Sequence, residues 1–344
     1  RYDGDYALDH RARVGPQMSD ELDILSASAE RLFADHVTPE LFTRVEVGEW
    51  PDALWQAVET AGFEQAEMPG LGTLIARIAG RHAAPIPLAE TILAASLLAD
   101  ATLPVPGGVL TFAAADDVSI SAGEKLSGTA KQIPWARNAG HIVVVMGDVV
   151  ALVETARCEI SPGVNIAGEP RDDVVFDQTP IQEMKSGVSH LEADQQAALL
   201  RSAQIAGGLE RILSLTVQYA GERQQFGRPI AKFQAVQHQL AALAGHTASA
   251  CAAVEAAADA PGFFAIAAAK ACASEAAGEA AAIAHQVHGA IGFTAEHSLH
   301  RHTKTLWAWR EEFGNEVYWN ARLGEAIAAD GGDALWPGIV GAGG

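Results

Sequence analysis

Arg223, Gln225 and the backbone amides around Phe226 are the groups in this chain best suited to chemistry. They lie where Gly227 and Pro229 interrupt a helical pattern running in from Ala197, and a second helical pattern resumes near Ala231. The interruption is expected to be an inter-helix turn. A guanidinium beside the unpaired amides of a helix start suits a phosphate or pyrophosphate. An Arg at a helix end equally suits solvent or the C-terminal end of the helix dipole, so spacing alone leaves both readings open. A second stretch, 286–304, collects Gln286, Val287, Gly289, Glu296, His297, His300, His302 and Lys304. It lacks Cys/His metal-ligand spacing and Arg301 intervenes, so no metal is expected there.

Arg223-Gln224-Gln225-Phe226-Gly227-Arg228-Pro229-Ile230, followed by Phe233-Gln234 and Val236-Gln237-His238, resembles the signature of the acyl-CoA dehydrogenase family. Gln286-Val287-His288-Gly289-Ala290-Ile291-Gly292-Phe293-Thr294, then Glu296-His297, Leu299, Arg301 and Lys304, resembles a second family segment, in the right order and at about the right separation. The resemblance is strong over 199–323 and faint before it. It implies an α+β acyl-CoA dehydrogenase fold: an N-terminal α-helical domain, a small middle β domain and a C-terminal four-helix bundle. It also implies FAD as cofactor. In the family, the neighbouring subunit's Arg-x-Gln-Phe turn and Gln-x-x-Gly segment hold the ADP portion of the flavin. Here that carries over to Arg223, Gln225, Phe226, Gln286, Val287 and Gly289, with Ala290 in place of the usual second glycine.

The family reaction moves the Cα proton of an acyl-CoA thioester to a carboxylate while the Cβ hydrogen leaves as hydride to the flavin. One family position for that carboxylate follows the Lys matched by Lys304 in an aromatic-Glu-Gly-Thr motif; here Trp309 is followed by Arg310, which stays protonated at any accessible pH. The other lies early on the helix leading to Arg223, where Ala197 stands. Glu311 and Glu312 come next and are the remaining base candidates if the register shifts. As first-turn carboxylates they also suit the start of a last helix. The family's Thr-Glu-x-x-x-Gly-Ser motif, which holds the flavin ring, has no counterpart in 111–122, where Phe112-Ala113-Ala114-Ala115-Asp116-Asp117 stands. The run 126–135 resembles the strand pair that places a Trp, here Trp135, near the flavin.

The elements that must position these residues follow from length and periodicity. The chain has 344 residues, 49% of them hydrophobic and only 6% aromatic, enough for two or three domains. A net charge of −20 argues against nucleic acid or anionic membrane as partner, and a cytoplasmic location is expected. Anionic coenzyme A esters would then need a local basic patch. Cys158, Cys251 and Cys272 are scattered and read as reduced, buried thiols. Residues 1–17 are expected to be a disordered extension. Over 18–103 a helical domain is expected, with Ser19 capping its first helix, Trp50-Pro51 opening another, and further helices at 72–83 and 87–99. Residues 104–190 read as a β domain, with strands near 109–113, 142–146, 149–153 and 174–176. Residues 191–330 read as a four-helix bundle with helices 195–223, 233–258, 263–288 and 310–329, and 331–344 as a frayed Gly-rich tail. Abundant Ala lets helix axes approach but leaves little apolar area per residue, so part of the bundle core is expected to be completed by a partner subunit.

The resemblance of 306–314 to the less catalytic subunits of two-gene actinobacterial enzymes acting on steroid side chains joins these expectations. They describe an FAD-dependent acyl-CoA dehydrogenase subunit in an α2β2 assembly. It would supply the ADP-binding half of the flavin site to a catalytic partner that binds most of the acyl-CoA substrate. The alternatives are a self-sufficient homotetramer using Glu311 or Glu312 as base, and a non-enzymatic scaffolding paralogue.

Overall fold

The computed structural model describes residues 16–115, 117–121, 123–294, 296–334 and 336. Residues 1–15 of the expected extension and most of the Gly-rich tail lie outside the described residues. Five helices come first: α1 (Pro16–His36), α2 (Pro39–Glu46), α3 (Asp52–Ala61), α4 (Gly70–Arg81) and α5 (Leu88–Asp100). The expected cap at Ser19 is corrected. The helix already begins at Pro16, because proline's fixed φ suits a first turn. Sequence reading also passed over α2, although Thr38 accepts from the Leu41 amide at 3.3 Å and Pro39 follows it.

Eight strands follow: β1 (Leu110–Ala114), β2 (Val118–Ser121), β3 (Lys125–Pro134), β4 (His141–Met146), β5 (Val149–Glu154), β6 (Glu159–Ser161), β7 (Arg171–Pro180) and β8 (Glu183–Ser186). They form two four-stranded sheets, in the orders β1-β4-β5-β8 and β2-β3-β7-β6. Only the β1 to β4 pairing of these sheets is parallel. Val143, Val145, Val150 and Leu152 face the helices, whereas Ile142, Val144 and Val153 pack with Leu126, Val174 and Phe176 between the sheets. This alternation is the period-2 pattern of β4 and β5 written in side chains.

The chain then turns helical again: α6 (His190–Glu222), a two-residue pair β9 (Gln224–Gln225) and β10 (Arg228–Pro229), then α7 (Gln234–Asp259), α8 (Phe263–His288), α9 (Leu299–Glu311) and α10 (Glu316–Asp330). A capping box between Ser189 and Glu192 starts α6 five residues before its expected start at Gln195. The expected helix 310–329 is corrected: it starts only at Glu316, and α9, ending at Glu311, precedes it as a helix that sequence reading passed over. Phe313 (φ 56°) and Gly314 (φ 82°) leave helical geometry, and Asn315 restarts it by accepting from the amides of Val317 and Tyr318, each at 3.1 Å. The N-terminal helices lock onto the bundle where two glycines meet backbone. A Cβ on Gly80 would stand 2.2 Å from the Gln204 carbonyl oxygen, and one on Gly207 would stand 1.8 Å from that of Arg77. Beside this contact, Arg77 and Arg81 both pair with Glu210 at 2.5 Å.

Candidate functional site

The expected turn after α6 is a tight hairpin. Phe226 (φ 51°) and Gly227 (φ 78°) are both left-handed, the conformation of a two-residue turn whose twist matches its strands. Arg228 pairs with Gln225 and Pro229 with Gln224, and the Ile230 amide donates to the Arg223 carbonyl at 2.8 Å. The hairpin lifts Phe226 into solvent, 92% exposed, with the Phe233 ring edge-on to it at 6.1 Å. Arg223, Gln225, Arg228 and Lys232 are exposed around it. The side chains of Arg223 and Gln225 have no hydrogen-bond or ion partner among the described residues, while Arg228 lies over the Phe233 ring at 4.4 Å. This concentration of cations stands out in a chain of charge −20. Arg228 and Lys232 were not among the residues picked from sequence, although they sit within the same motif. Next to them, no side chain caps the start of α7.

The second polar segment comes to the same end of the bundle, because α6 and α8 run alongside each other with the antiparallel α7 between them in sequence. The Tyr219 hydroxyl donates to the His288 carbonyl at 3.2 Å and their rings stack at 4.4 Å. Gln286 is exposed, and so is Gly289, which adopts φ 63°, ψ −144°, with open space where a Cβ would be. Val287 is only 8% exposed, so it can offer a ligand its backbone alone. Gly292 serves packing: a Cβ there would stand 3.0 Å from His288 Cβ and 3.2 Å from His285 Nδ1. Guanidinium, carboxamides, uncapped helix amides and open backbone make a donor set that fits the pyrophosphate and ribose of FAD.

The positions where a base and a flavin-ring motif were sought converge on a different place, between α5, β1, α6 and the α9 to α10 break. Phe112, Ala197, Arg201 and Phe313 line a cavity of about 10 Å³ there, room for about one water. The space is filled by aromatic rings and charge. Phe112 packs on Phe313 at 5.4 Å, and the Arg201 guanidinium lies over Phe313 at 5.2 Å and Trp309 at 5.6 Å. Arg201, 2% exposed, pairs with Glu90 at 2.7 Å and Glu312 at 2.8 Å. Arg171 donates to both Glu312 oxygens, at 2.8 and 2.9 Å, and Asn165 donates at 3.0 Å. Burial alone would raise the Glu312 pKa, but Arg201 and Arg171 outweigh it and hold the carboxyl at about 2. Such a carboxylate is a weak proton acceptor. Glu169, which shares Arg171 and accepts from Trp309 Nε1 at 3.2 Å, is pushed up by burial.

Glu311 points the other way. Its side chain is 60% exposed, accepts from Asn315 at 2.8 Å and borders an open cleft of about 310 Å³ with Asp194, Tyr318 and Trp319. Lys270 fixes this turn from α8. Its buried amine donates to the carbonyls of Arg310 at 2.9 Å and Gly314 at 2.6 Å, and burial lowers its pKa to about 7. Trp135, 4% exposed, packs edge-on to Trp50 at 6.1 Å. Cys251 is buried and Cys158 half-buried, and burial pushes their thiols up to about 12 and 11.

Comparison with known proteins agrees with this fold. Residues 194–316 match the acyl-CoA dehydrogenase C-terminal domain. The chain is 48% identical to acyl-CoA dehydrogenase IpdE2 of Mycobacterium tuberculosis (strain ATCC 25618 / H37Rv) over 112 residues, 33% of this chain and 35% of that protein. To IpdE2 of Mycolicibacterium smegmatis (strain ATCC 700084 / mc(2)155) it is 29% identical over 307 residues, 83% of this chain and 92% of that protein. Among solved structures, the Tcur3481-Tcur3483 steroid ACAD G363A variant superposes with a TM-score of 0.84 at 26% identity, covering 91% of this chain and 99% of that one. The ChsE4-ChsE5 complex from Mycobacterium tuberculosis shares the fold, with a TM-score of 0.79 at 22% identity over 89% and 97% of the two chains. Motifs, architecture and relatives coincide: residues 194–316 are those of an acyl-CoA dehydrogenase C-terminal domain, and the chain has the fold and sequence likeness of the acyl-CoA dehydrogenase family.

Proposed function

We propose that this chain is the FAD-half-site subunit of a heteromeric acyl-CoA dehydrogenase that introduces an α,β double bond into an acyl-CoA thioester. The observation that carries this reading is the filled cavity. Where this reaction would need a dry flavin face and a free carboxylate, Arg201, Phe112 and Phe313 close the space and Arg201 holds the Glu312 carboxylate, while the residues proposed for the ADP end stand open at the other site. Arg223 would neutralise the pyrophosphate, Gln225 and Gln286 would hydrogen-bond it or the ribose, and Gly289 would admit the ligand against its backbone. Bound FAD supplies the hydride acceptor, and the partner chain supplies the carboxylate that takes the Cα proton. An α2β2 assembly and a steroid side-chain ester are part of this proposal, supported by similar folds named as a steroid ACAD and as the ChsE4-ChsE5 complex.

The test is flavin content and native mass of the chain, purified alone and after co-expression with an acyl-CoA dehydrogenase chain that carries the carboxylate base. Colourless protein alone, and about one FAD per pair of unlike chains together, is expected. In that complex Arg223→Ala weakens FAD binding by about 10- to 100-fold, the worth of a charge-assisted contact. Stoichiometric FAD and dye reduction by the chain alone would overturn the reading in favour of a homotetramer using Glu311, which does border an open cleft. A complex whose activity ignores Arg223→Ala would favour a scaffold.

A further inference from the structure

The two segments that would hold the ADP end of the cofactor are far apart in sequence but joined by one pair of side chains. Tyr219 stands one turn before Arg223 near the end of α6, and His288 is the last residue of α8, immediately before Gly289. The last carbonyls of a helix have no amide of their own helix to accept from. Tyr219 Oη satisfies that of His288 at 3.2 Å. The two rings stack at 4.4 Å with only 20° between their planes, and His297 stands edge-on to both, 4.7 Å from His288 and 6.0 Å from Tyr219. The His288 ring cannot rotate freely. Its Nδ1–H donates to the Ala284 carbonyl at 2.8 Å, which fixes the tautomer because a carbonyl only accepts. Gly289 then leaves the helix at φ 63°, directly off this anchored residue.

We propose that the Tyr219–His288 pair is a positioning latch that sets the spacing between Arg223 on one side and Gln286 and Gly289 on the other, so that the two halves of the ADP clamp are preorganised before the cofactor arrives. The proposal rests on the half-site reading. Neither ring need touch the ligand. A loosened latch leaves every donor in place but makes binding pay for ordering them, which shortens residence of the bound nucleotide.

The experiment measures the FAD release rate of the co-expressed complex by the gain in flavin fluorescence, with native mass and Tm recorded for each variant. Tyr219→Phe removes the hydroxyl bond but keeps the stacked ring, and His288→Leu removes the stack but keeps the carbonyl. Each is expected to release FAD about tenfold faster at unchanged native mass, the size expected for one such contact. His288→Phe, which restores a flat ring, is expected to return release to within about twofold of wild type. If Tyr219→Phe does not assemble, the His288 pair of variants carries the same comparison. Arg223→Ala separates the two failures. Faster release with Arg223→Ala but wild-type release with Tyr219→Phe and His288→Leu overturns the latch and leaves the half-site. Wild-type release with Arg223→Ala as well overturns both.

Discussion

Glu312 shows how one residue's surroundings decide its chemistry. By type and position it is a candidate base, but it lies between two buried guanidinium groups and its charge is fully used. Removing it would leave Arg171 and Arg201 short of a counter-charge in the interior. Glu312→Ala is therefore expected to lower unfolding free energy by about 3–5 kcal/mol in urea titration, the cost of breaking a buried pair. The same contacts predict a pH response. Glu312 is held at about 2, below its ordinary 4.5, so its contribution is complete above the unfolded value and lost as pH falls toward 2. His302, buried and held near 3 by desolvation and then Arg211, acts in the same direction from a higher start, with stability lost as pH falls below its ordinary 6.5. Unfolding midpoints measured from pH 7 to pH 3 should fall in two stages. A flat profile would show that neither group is buried as described.

At the scale of elements, the informative positions are those where backbones touch. The α4 to α6 contact has no room for a side chain at Gly80 or Gly207, since each Cβ would overlap the facing backbone. Overpacking costs about 1–3 kcal/mol where neighbours can shift, and here the neighbour is main chain. Gly207→Ala is expected to destabilise by at least that much in the same titration. Gly221→Ala, with nothing within 4 Å of the added carbon, should be neutral or stabilising, by helix propensity. The periodic helices and the valine-rich strands β4 and β5 were legible in sequence because burial imposes their periods. The short strands β2, β6 and β8 were not, since three or four residues make no period and their pairing is decided by β3, β5 and β7. The break between α9 and α10 was written locally in Gly314-Asn315, but a helical count run through it hid the signal.

For the whole molecule, α7 is the element that asks for a partner. It is long and apolar enough by composition to cross a membrane, yet only 33% of its most apolar window is buried. Its packing between α6 and α8 places it in a bundle instead, with Ala241, Gly245, Ala248, Ala252 and Ala256 exposed on one face. Small residues in such a row let a second helix approach closely. On the half-site reading, Ala248→Asp should abolish co-purification with the partner chain while leaving the far-ultraviolet circular dichroism of the chain alone unchanged. Retained co-purification would move the interface elsewhere on the surface.

The sequence by itself determined the family resemblance, the order of helical and strand-rich regions, and which residues are proposed for the ADP clamp, because those depend on local periodicity and on motifs contiguous in the chain. It also exposed the missing carboxylate at Ala197 and Arg310. Only the tertiary structure decided the rest. Arg171, Arg201, Glu90 and Glu312 come from four separate elements or turns, so no spacing rule could show that they meet and neutralise one another beside the small cavity. The same holds for Tyr219 and His288, whose contact exists because α6 and α8 end side by side. Motifs are legible when their atoms are neighbours in sequence. Charge compensation and ring stacking across a core depend on distances that folding alone sets.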